Sequence, residues 1–197
     1  MSMKGSDGMN PVMVTRLVEI LKRDALKLGT FRLASGRSSH YYVDGRRVTL
    51  SAAGVELVAS GMLQVLARWP GVDAVGGLTM GADPIVGAML GLADRYGMEN
   101  LKGFLVRKEA KGHGTGKLVE GPIEAGMKVA VVDDVVTTGG SSIQAIEAVK
   151  GAGCEVVCVL AMLDRLEGAS AAFEKLGIPF RSLCTIRDLG VEPLGTE

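Results

Sequence analysis

The chain has no surplus of charge of either sign: 22 Lys and Arg residues stand against 22 Asp and Glu over 197 residues. Without a global positive field it has no general means of collecting nucleic acid or coating an anionic membrane, so any cationic function has to be concentrated locally. It also lacks an apolar run approaching the roughly 18 residues that would cross a bilayer. The opening M-S-M-K-G-S-D-G has no signal-peptide core, and a cytoplasmic protein is expected. Cysteine is sparse. Cys154, Cys158 and Cys184 form an odd set without paired spacing, which reads as reduced core thiols rather than disulfides. A zinc site is disfavoured because only His40 and His113 could complete one, and neither adjoins the cysteines in sequence. No internal repeat or low-complexity linker divides the chain, so a single domain over residues 1–197 is expected.

What is present is an alternation of periods. Apolar residues at three- and four-residue spacing predict a helix over Pro11 to Leu28, ended by Gly29. Phe31 to Leu50, with Tyr41, Tyr42 and Val43, predicts a hairpin or meander around Ser35-Gly36-Arg37. Helical spacing returns over Ser51 to Ala67. From there strands are expected near Ala74 to Leu78, Gly103 to Val106, Val129 to Val132, Val156 to Leu163 and Phe180 to Ile186. Helices are expected between them over Pro84 to Tyr96, Ile143 to Ala152 and Ala169 to Leu176. This βα repeat argues for an α/β fold: a central, mostly parallel sheet with helices on both faces. Residues 1–50 are expected to add a small hood subdomain over the carboxyl edge of that sheet.

The segment Val129 to Ser142, V-A-V-V-D-D-V-V-T-T-G-G-S-S, carries the chemistry. A continuous β-branched run is the pattern of a strand covered on both faces, so Asp133 and Asp134 fall at its carboxyl end, where open α/β sheets bind their ligands. Thr137, Thr138, Gly139, Gly140, Ser141 and Ser142 then offer hydroxyls and unobstructed backbone N–H groups at the start of a helix, an anion cradle. Carboxylates cannot attract phosphate, but they accept hydrogen bonds from sugar hydroxyls. A 5-phosphorylated ribose suits both halves. A Walker-type loop does not fit, because no lysine follows Gly139 or Gly140.

Arg107 to Lys117, R-K-E-A-K-G-H-G-T-G-K, is the one concentrated positive segment. Gly112, Gly114 and Gly116 preclude regular structure there. Mobile cations at a strand end suit a reaction in which a diphosphate leaves ribose, because charge builds on the leaving group as the bond breaks. Closure of such a loop also keeps water from the sugar cation.

At D-D-V-V-T-T-G-G-S-S the chain resembles the phosphoribosyl-diphosphate-binding motif of the type I phosphoribosyltransferases. R-K-E-A-K-G-H-G, F-R-L-A-S-G-R-S-S-H-Y-Y-V-D and L-D-R-L-E-G resemble, more narrowly, the orotate phosphoribosyltransferases. The resemblance implies a type I phosphoribosyltransferase-like fold and transfer of phosphoribose to orotate, in pyrimidine (UMP) biosynthesis. It assigns the ribose hydroxyls to Asp133 and Asp134, the 5-phosphate to Thr137 through Ser141, and the diphosphate to Arg107, Lys108, Lys111 and His113. Tyr41 and Tyr42 match positions whose ring lies against the pyrimidine. The two alternate faces on a strand, so at most one should stack on the base and the other pack in the hood. Arg165 matches the arginine that faces the orotate, though an ion pair with Asp164 is the local alternative.

The resemblance also implies Mg2+ carried on substrate oxygens near Asp133 and Asp134, with no direct protein ligands required. It implies a homodimer whose loops complete each other's sites, with no nucleic-acid or membrane partner. Ala34 and Met80-Gly81 depart from the lysine-bearing pattern of many relatives. A purine phosphoribosyltransferase, or a regulator of the same fold that senses phosphoribosyl diphosphate, are the alternatives.

Overall fold

The computed structural model describes residues 10–32, 36, 38–109 and 118–194. In chain order these form α1 (Pro11–Ile20), β1 (Leu26–Arg32), β2 (Ser38–Val43), α2 (Arg46–Thr49), α3 (Ala52–Leu66), β3 (Ala74–Leu78) and α4 (Asp83–Leu92). There follow β4 (Lys102–Val106), β5 (Val119–Glu120), β6 (Lys128–Val136), α5 (Gly140–Gly151), β7 (Glu155–Asp164), α6 (Ala169–Lys175) and β8 (Phe180–Thr185). Six strands make the central sheet in the order β5-β4-β3-β6-β7-β8. All neighbours are parallel except β4 and β5.

Residue alternation along β6 explains the two layers. Val129 and Val131 face one core with Ala145, Ile146 and Val149 of α5 and Phe173 of α6, whereas Ala130 and Val132 face the other with residues of α1, α3 and α4. A strand buried on both sides needs an unbroken apolar run, which is why these residues did not alternate with polar ones. Helices therefore cover both faces, as the βα pattern predicted.

The N-terminal region departs from expectation. The first helix ends at Ile20, passes through a π-helical turn over Leu21–Ala25, and becomes β1 at Leu26 rather than running to Leu28. Helical spacing over Leu21, Ala25 and Leu28 was overridden by strand pairing: Leu26, Lys27 and Leu28 lie opposite Val43, Tyr42 and Tyr41. Nor does α1 belong to a hood. Leu17, Ile20 and Leu21 enter the main core, and the helix packs against α3 and β8. What projects as a hood is the β1–β2 ribbon with α2. The hairpin was correctly anticipated, but the turn residues Ser35 and Arg37 and the departure at Ala34 lie outside the described residues.

Two further differences bear on the site. Strand β6 runs on through both acids to Val136, held by pairing of Val135 with Leu163 and Val136 with Asp164. On its other side the pairing with β3 stops at Val131. Asp133 and Asp134 thus lie within the strand, on a stretch bordered by only one neighbour, and the turn after β3 fills the vacant side. The short β5 was not anticipated. It pairs Val119 with Val106 and Glu120 with Leu105, a two-stranded stem whose strands stand on either side of residues 107–118 in the sequence.

Candidate active site

Successive side chains on a strand point to opposite faces, and the adjacent acids obey this. Asp133 turns toward α5, where its Oδ2 accepts a hydrogen bond from Ser142 Oγ at 2.9 Å. Asp134 turns toward the hood. A Cβ added to Gly45 would fall 2.7 Å from Asp134 Oδ2, and one added to Gly81 would fall 2.7 Å from Asp134 Oδ1 and 3.1 Å from Asp133 Oδ1. Glycine at 45 and 81 therefore lets two backbone segments, the start of α2 and the β3–α4 turn, approach the carboxylates directly. That turn contains a cis peptide between Thr79 and Met80.

Crowding shows in the electrostatics. Burial, followed by the neighbouring carboxylate of Asp134, pushes Asp133 up to about 7 from its ordinary 3.8, against the lowering effect of the Ser142 hydrogen bond. Asp134 is also raised, chiefly by burial; amide hydrogen bonds and the more distant Arg46 charge oppose the rise. Both groups are poorly solvated as anions, and a ligand offering hydroxyls would relieve that.

The cradle follows. Gly139 is the N-cap of α5 at φ 89°, and a Cβ there would meet the Phe173 ring at 2.9 Å. Conformation and space both demand glycine. The first bond of the helix is Ile143 N to Gly139 O at 2.8 Å, so the N–H groups of Gly140, Ser141 and Ser142 precede the ladder and are the unsatisfied donors of a helix start. Thr138, Gly140 and Ser141 are exposed, while Thr137 is half-buried. The α6 side braces the turn: Ala169 N donates to Thr137 O at 3.2 Å and Arg165 N to Val136 O at 2.9 Å.

Of the basic segment, Arg107 is half-buried and paired with Glu120, Nε to Oε1 at 3.0 Å. Its backbone N donates to Leu118 O at 2.9 Å. Lys108 is exposed, and its carbonyl accepts from Gln144 Nε2 at 3.0 Å, fastening the loop base to α5. Arg107 and Lys108 are therefore stem residues on the α5 side. Lys111 and His113 lie outside the described residues.

The expectation for Tyr41 is corrected. Its ring is 0% exposed and the Arg165 guanidinium lies over it, with Cζ 4.8 Å from the centroid, so it has no face left for a base. Tyr42, on the opposite side of the ribbon, is partly exposed and stands 5.8 Å from the Phe31 ring. Arg165 does not pair with Asp164 either; its Nη2 lies 2.7 Å from Glu167 Oε1, and Asp164 Oδ1 instead accepts from Leu166 N at 2.8 Å. The sequence reading missed Gly45 and Glu167, and it set Ser142 in the anion cradle without its hydrogen bond to Asp133. Ser142 stood inside the recognised motif, but only the helix geometry shows that it faces Asp133.

Paired acids near the end of a buried strand, followed by a left-handed glycine turn and a helix start, suit a sugar-phosphate transferase, and a family model, the phosphoribosyl transferase domain, matches residues 67–178. An orotate phosphoribosyltransferase of Rhodopirellula baltica is 48% identical over 182 residues, covering 90% of this chain and 94% of the relative. The crystal structure of the Mycobacterium tuberculosis orotate phosphoribosyltransferase with Fe(III) dicitrate aligns at a TM-score of 0.81 and 40% identity, over 91% of this chain and 99% of that one. A second structure of that enzyme, in complex with 5-phospho-α-D-ribosyl 1-diphosphate, aligns at 0.77 and 37% identity over the same shares. The chain belongs to the orotate phosphoribosyltransferases.

Proposed function

We propose that the chain transfers the phosphoribosyl group of 5-phosphoribosyl 1-diphosphate to N1 of orotate, releasing diphosphate and forming orotidine 5′-monophosphate in UMP biosynthesis. The observation that carries this reading is that the carboxyl ends of two paired strands, β6 and β7, present Asp134, the amide cradle of α5 and the buried Arg165, whose backbone N donates to Val136 O. The cradle takes the 5-phosphate through the N–H groups of Gly140 to Ser142 and the hydroxyls of Thr137, Thr138 and Ser141. Asp133 and Asp134 accept from the ribose hydroxyls, and their charge favours the cationic character that the sugar acquires as its C1–oxygen bond breaks. The loop cations Lys111 and His113, with Arg107 and Lys108 at its stem, meet the charge that accumulates on the departing diphosphate.

Two crowded carboxylates with raised proton affinity, and with no cation paired to them among the described residues, suit a hard divalent ion. Mg2+ near Asp133 and Asp134 would neutralise diphosphate oxygens when bound with the substrate. The assembly proposed is a homodimer in which each loop closes over the neighbouring site, in the cytoplasm. Consistent with that location, no helix among the described residues is long and apolar enough to cross a membrane.

The test is absorbance. Purified chain should consume orotate only when both phosphoribosyl diphosphate and Mg2+ are present, and chelation should stop it. A preparation that instead consumes adenine, hypoxanthine or xanthine would overturn the assignment of the base. Sedimentation of the active species at the mass of one chain would overturn the shared-site dimer.

A further inference from the structure

We propose that Tyr41 and Glu167 are positioning residues for Arg165, immobilising its guanidinium so that one nitrogen remains open to a planar, anionic base. This rests on the function proposed above, in which Arg165 faces the orotate.

The three side chains form a buried cluster. Arg165 is 7% exposed, Glu167 8% and Tyr41 0%, so solvent satisfies little of their polar capacity. Arg165 Nε donates to the Tyr41 hydroxyl oxygen at 3.3 Å. The hydroxyl donates in turn to Glu167 Oε1 at 3.2 Å. The guanidinium rests on the tyrosine ring, an arrangement that favours the planar arginine over lysine.

Glu167 Oε1 approaches Arg165 Nη2 to 2.7 Å, yet among the described residues Nη2 has no partner at hydrogen-bond geometry. The two facts are compatible, because the carboxylate is close enough to balance the charge but lies off the donor directions of that nitrogen. Nη2 is thus a buried cationic donor with its N–H groups unfilled. Buried donors are nearly always paired, and one left unfilled points to an acceptor that arrives with the ligand.

Each partner contributes something different. Tyr41 comes from the hood ribbon and Arg165 from the turn after β7, 124 residues apart, so the hydroxyl ties the hood to the sheet edge at this point. Burial raises the Tyr41 pKa above its ordinary value, which keeps the hydroxyl protonated and able to donate. Glu167 neutralises the buried guanidinium in the absence of ligand. It is brought beside Arg165 by a turn through Leu166 at φ 59°, a conformation non-glycine residues seldom adopt. An arginine held on three sides loses little freedom when the base binds, so the cluster should act on affinity for the base rather than on the chemical step.

Tyr41→Phe tests this in the full-length chain, since it keeps the ring and removes only the hydroxyl. The Michaelis constant for orotate should rise about tenfold, with that for phosphoribosyl diphosphate unchanged and kcat within about threefold. Glu167→Gln should shift the same constant in the same direction, and Glu167→Asp should recover part of the loss. The rise in melting temperature on adding phosphoribosyl diphosphate should persist in every variant. Its loss in Tyr41→Phe would mark a merely structural role and overturn the proposal, as would equal rises in both Michaelis constants or an unshifted orotate constant. A wild-type chain that ignores orotate would refute the function itself. An active wild type with unshifted variants would refute only the positioning.

Discussion

The phosphate cradle and the Tyr41–Arg165–Glu167 cluster occupy the same edge of the sheet but are assembled in opposite ways. The first is a single contiguous stretch, Asp133 to Ser142, in which a strand, a left-handed glycine and a helix start follow one another. The second joins a hood strand to a turn 124 residues away. Contiguous geometry is imposed by local backbone rules and tolerates few substitutions. Assembled geometry depends on two elements docking correctly, and it can be altered one side chain at a time. Under the function proposed here, the cradle would serve the phosphoribosyl donor and the cluster the choice of base.

The largest expected effect lies in neither region. If the two static regions were sufficient, removing a loop cation would cost little; instead, Lys111→Ala should lower kcat about a thousandfold, because its contact strengthens only as the leaving group gains charge. Affinity for phosphoribosyl diphosphate, measured by the shift in melting temperature, should change far less. Turnover equal to wild type would remove Lys111 from the mechanism.

Within the cradle, Gly139→Ala should destabilise the fold by about 3 kcal/mol in urea titration, combining a left-handed φ with an overlap on Phe173. Its neighbour is the control. A Cβ on Gly140 meets only Thr138 Oγ1 at 4.0 Å, so Gly140→Ala should cost under about 1 kcal/mol. Similar losses at both positions would mean that the turn is not held by Phe173.

Asp134→Asn should weaken binding of phosphoribosyl diphosphate about thirtyfold with little change in melting temperature. A collapse in stability with normal affinity would make the carboxylate structural.

The smallest effect is a pH slope. Asp133 titrates near 7 in the folded chain against 3.8 ordinarily, so between those values the folded state keeps a proton that the unfolded state releases. Stability therefore falls as pH rises through this window, and the contribution is lost above it; the raised Asp134 acts in the same direction. The ligand-free melting temperature should drop by a few degrees from about pH 5 to about pH 8. Asp133→Asn should flatten the drop, and an unchanged slope in that variant would place the titration elsewhere.

Much of this could be seen in the residues alone. The run Val129 to Val132 announced a doubly covered strand, and the glycines and hydroxyls after it announced a helix start, because both follow from neighbouring residues. The extension of β6 to Val136 was not visible: it depends on β7 reaching further than β3. The helix predicted through Leu28 failed for a similar reason, since Leu26 to Leu28 satisfy a helical period as well as a strand and only Tyr41, Tyr42 and Val43 decided between them. Glu167 stood inside the L-D-R-L-E-G motif, but nothing along the chain showed that it would meet Tyr41. A glutamate near an arginine in a turn is ordinary until a third residue buries both.

The βα order, the pairing of two acids with a small-residue turn and the family were all legible in the residues, because each is encoded in positions close together along the chain. The tertiary structure decided which way each acid faces, that Gly45 and Gly81 must be bare for backbone to reach Asp134, and that Tyr41 supports an arginine instead of a base. Those outcomes depend on which surfaces meet in space, and nothing short of the packed fold brings residues from the hood and the far strand into contact.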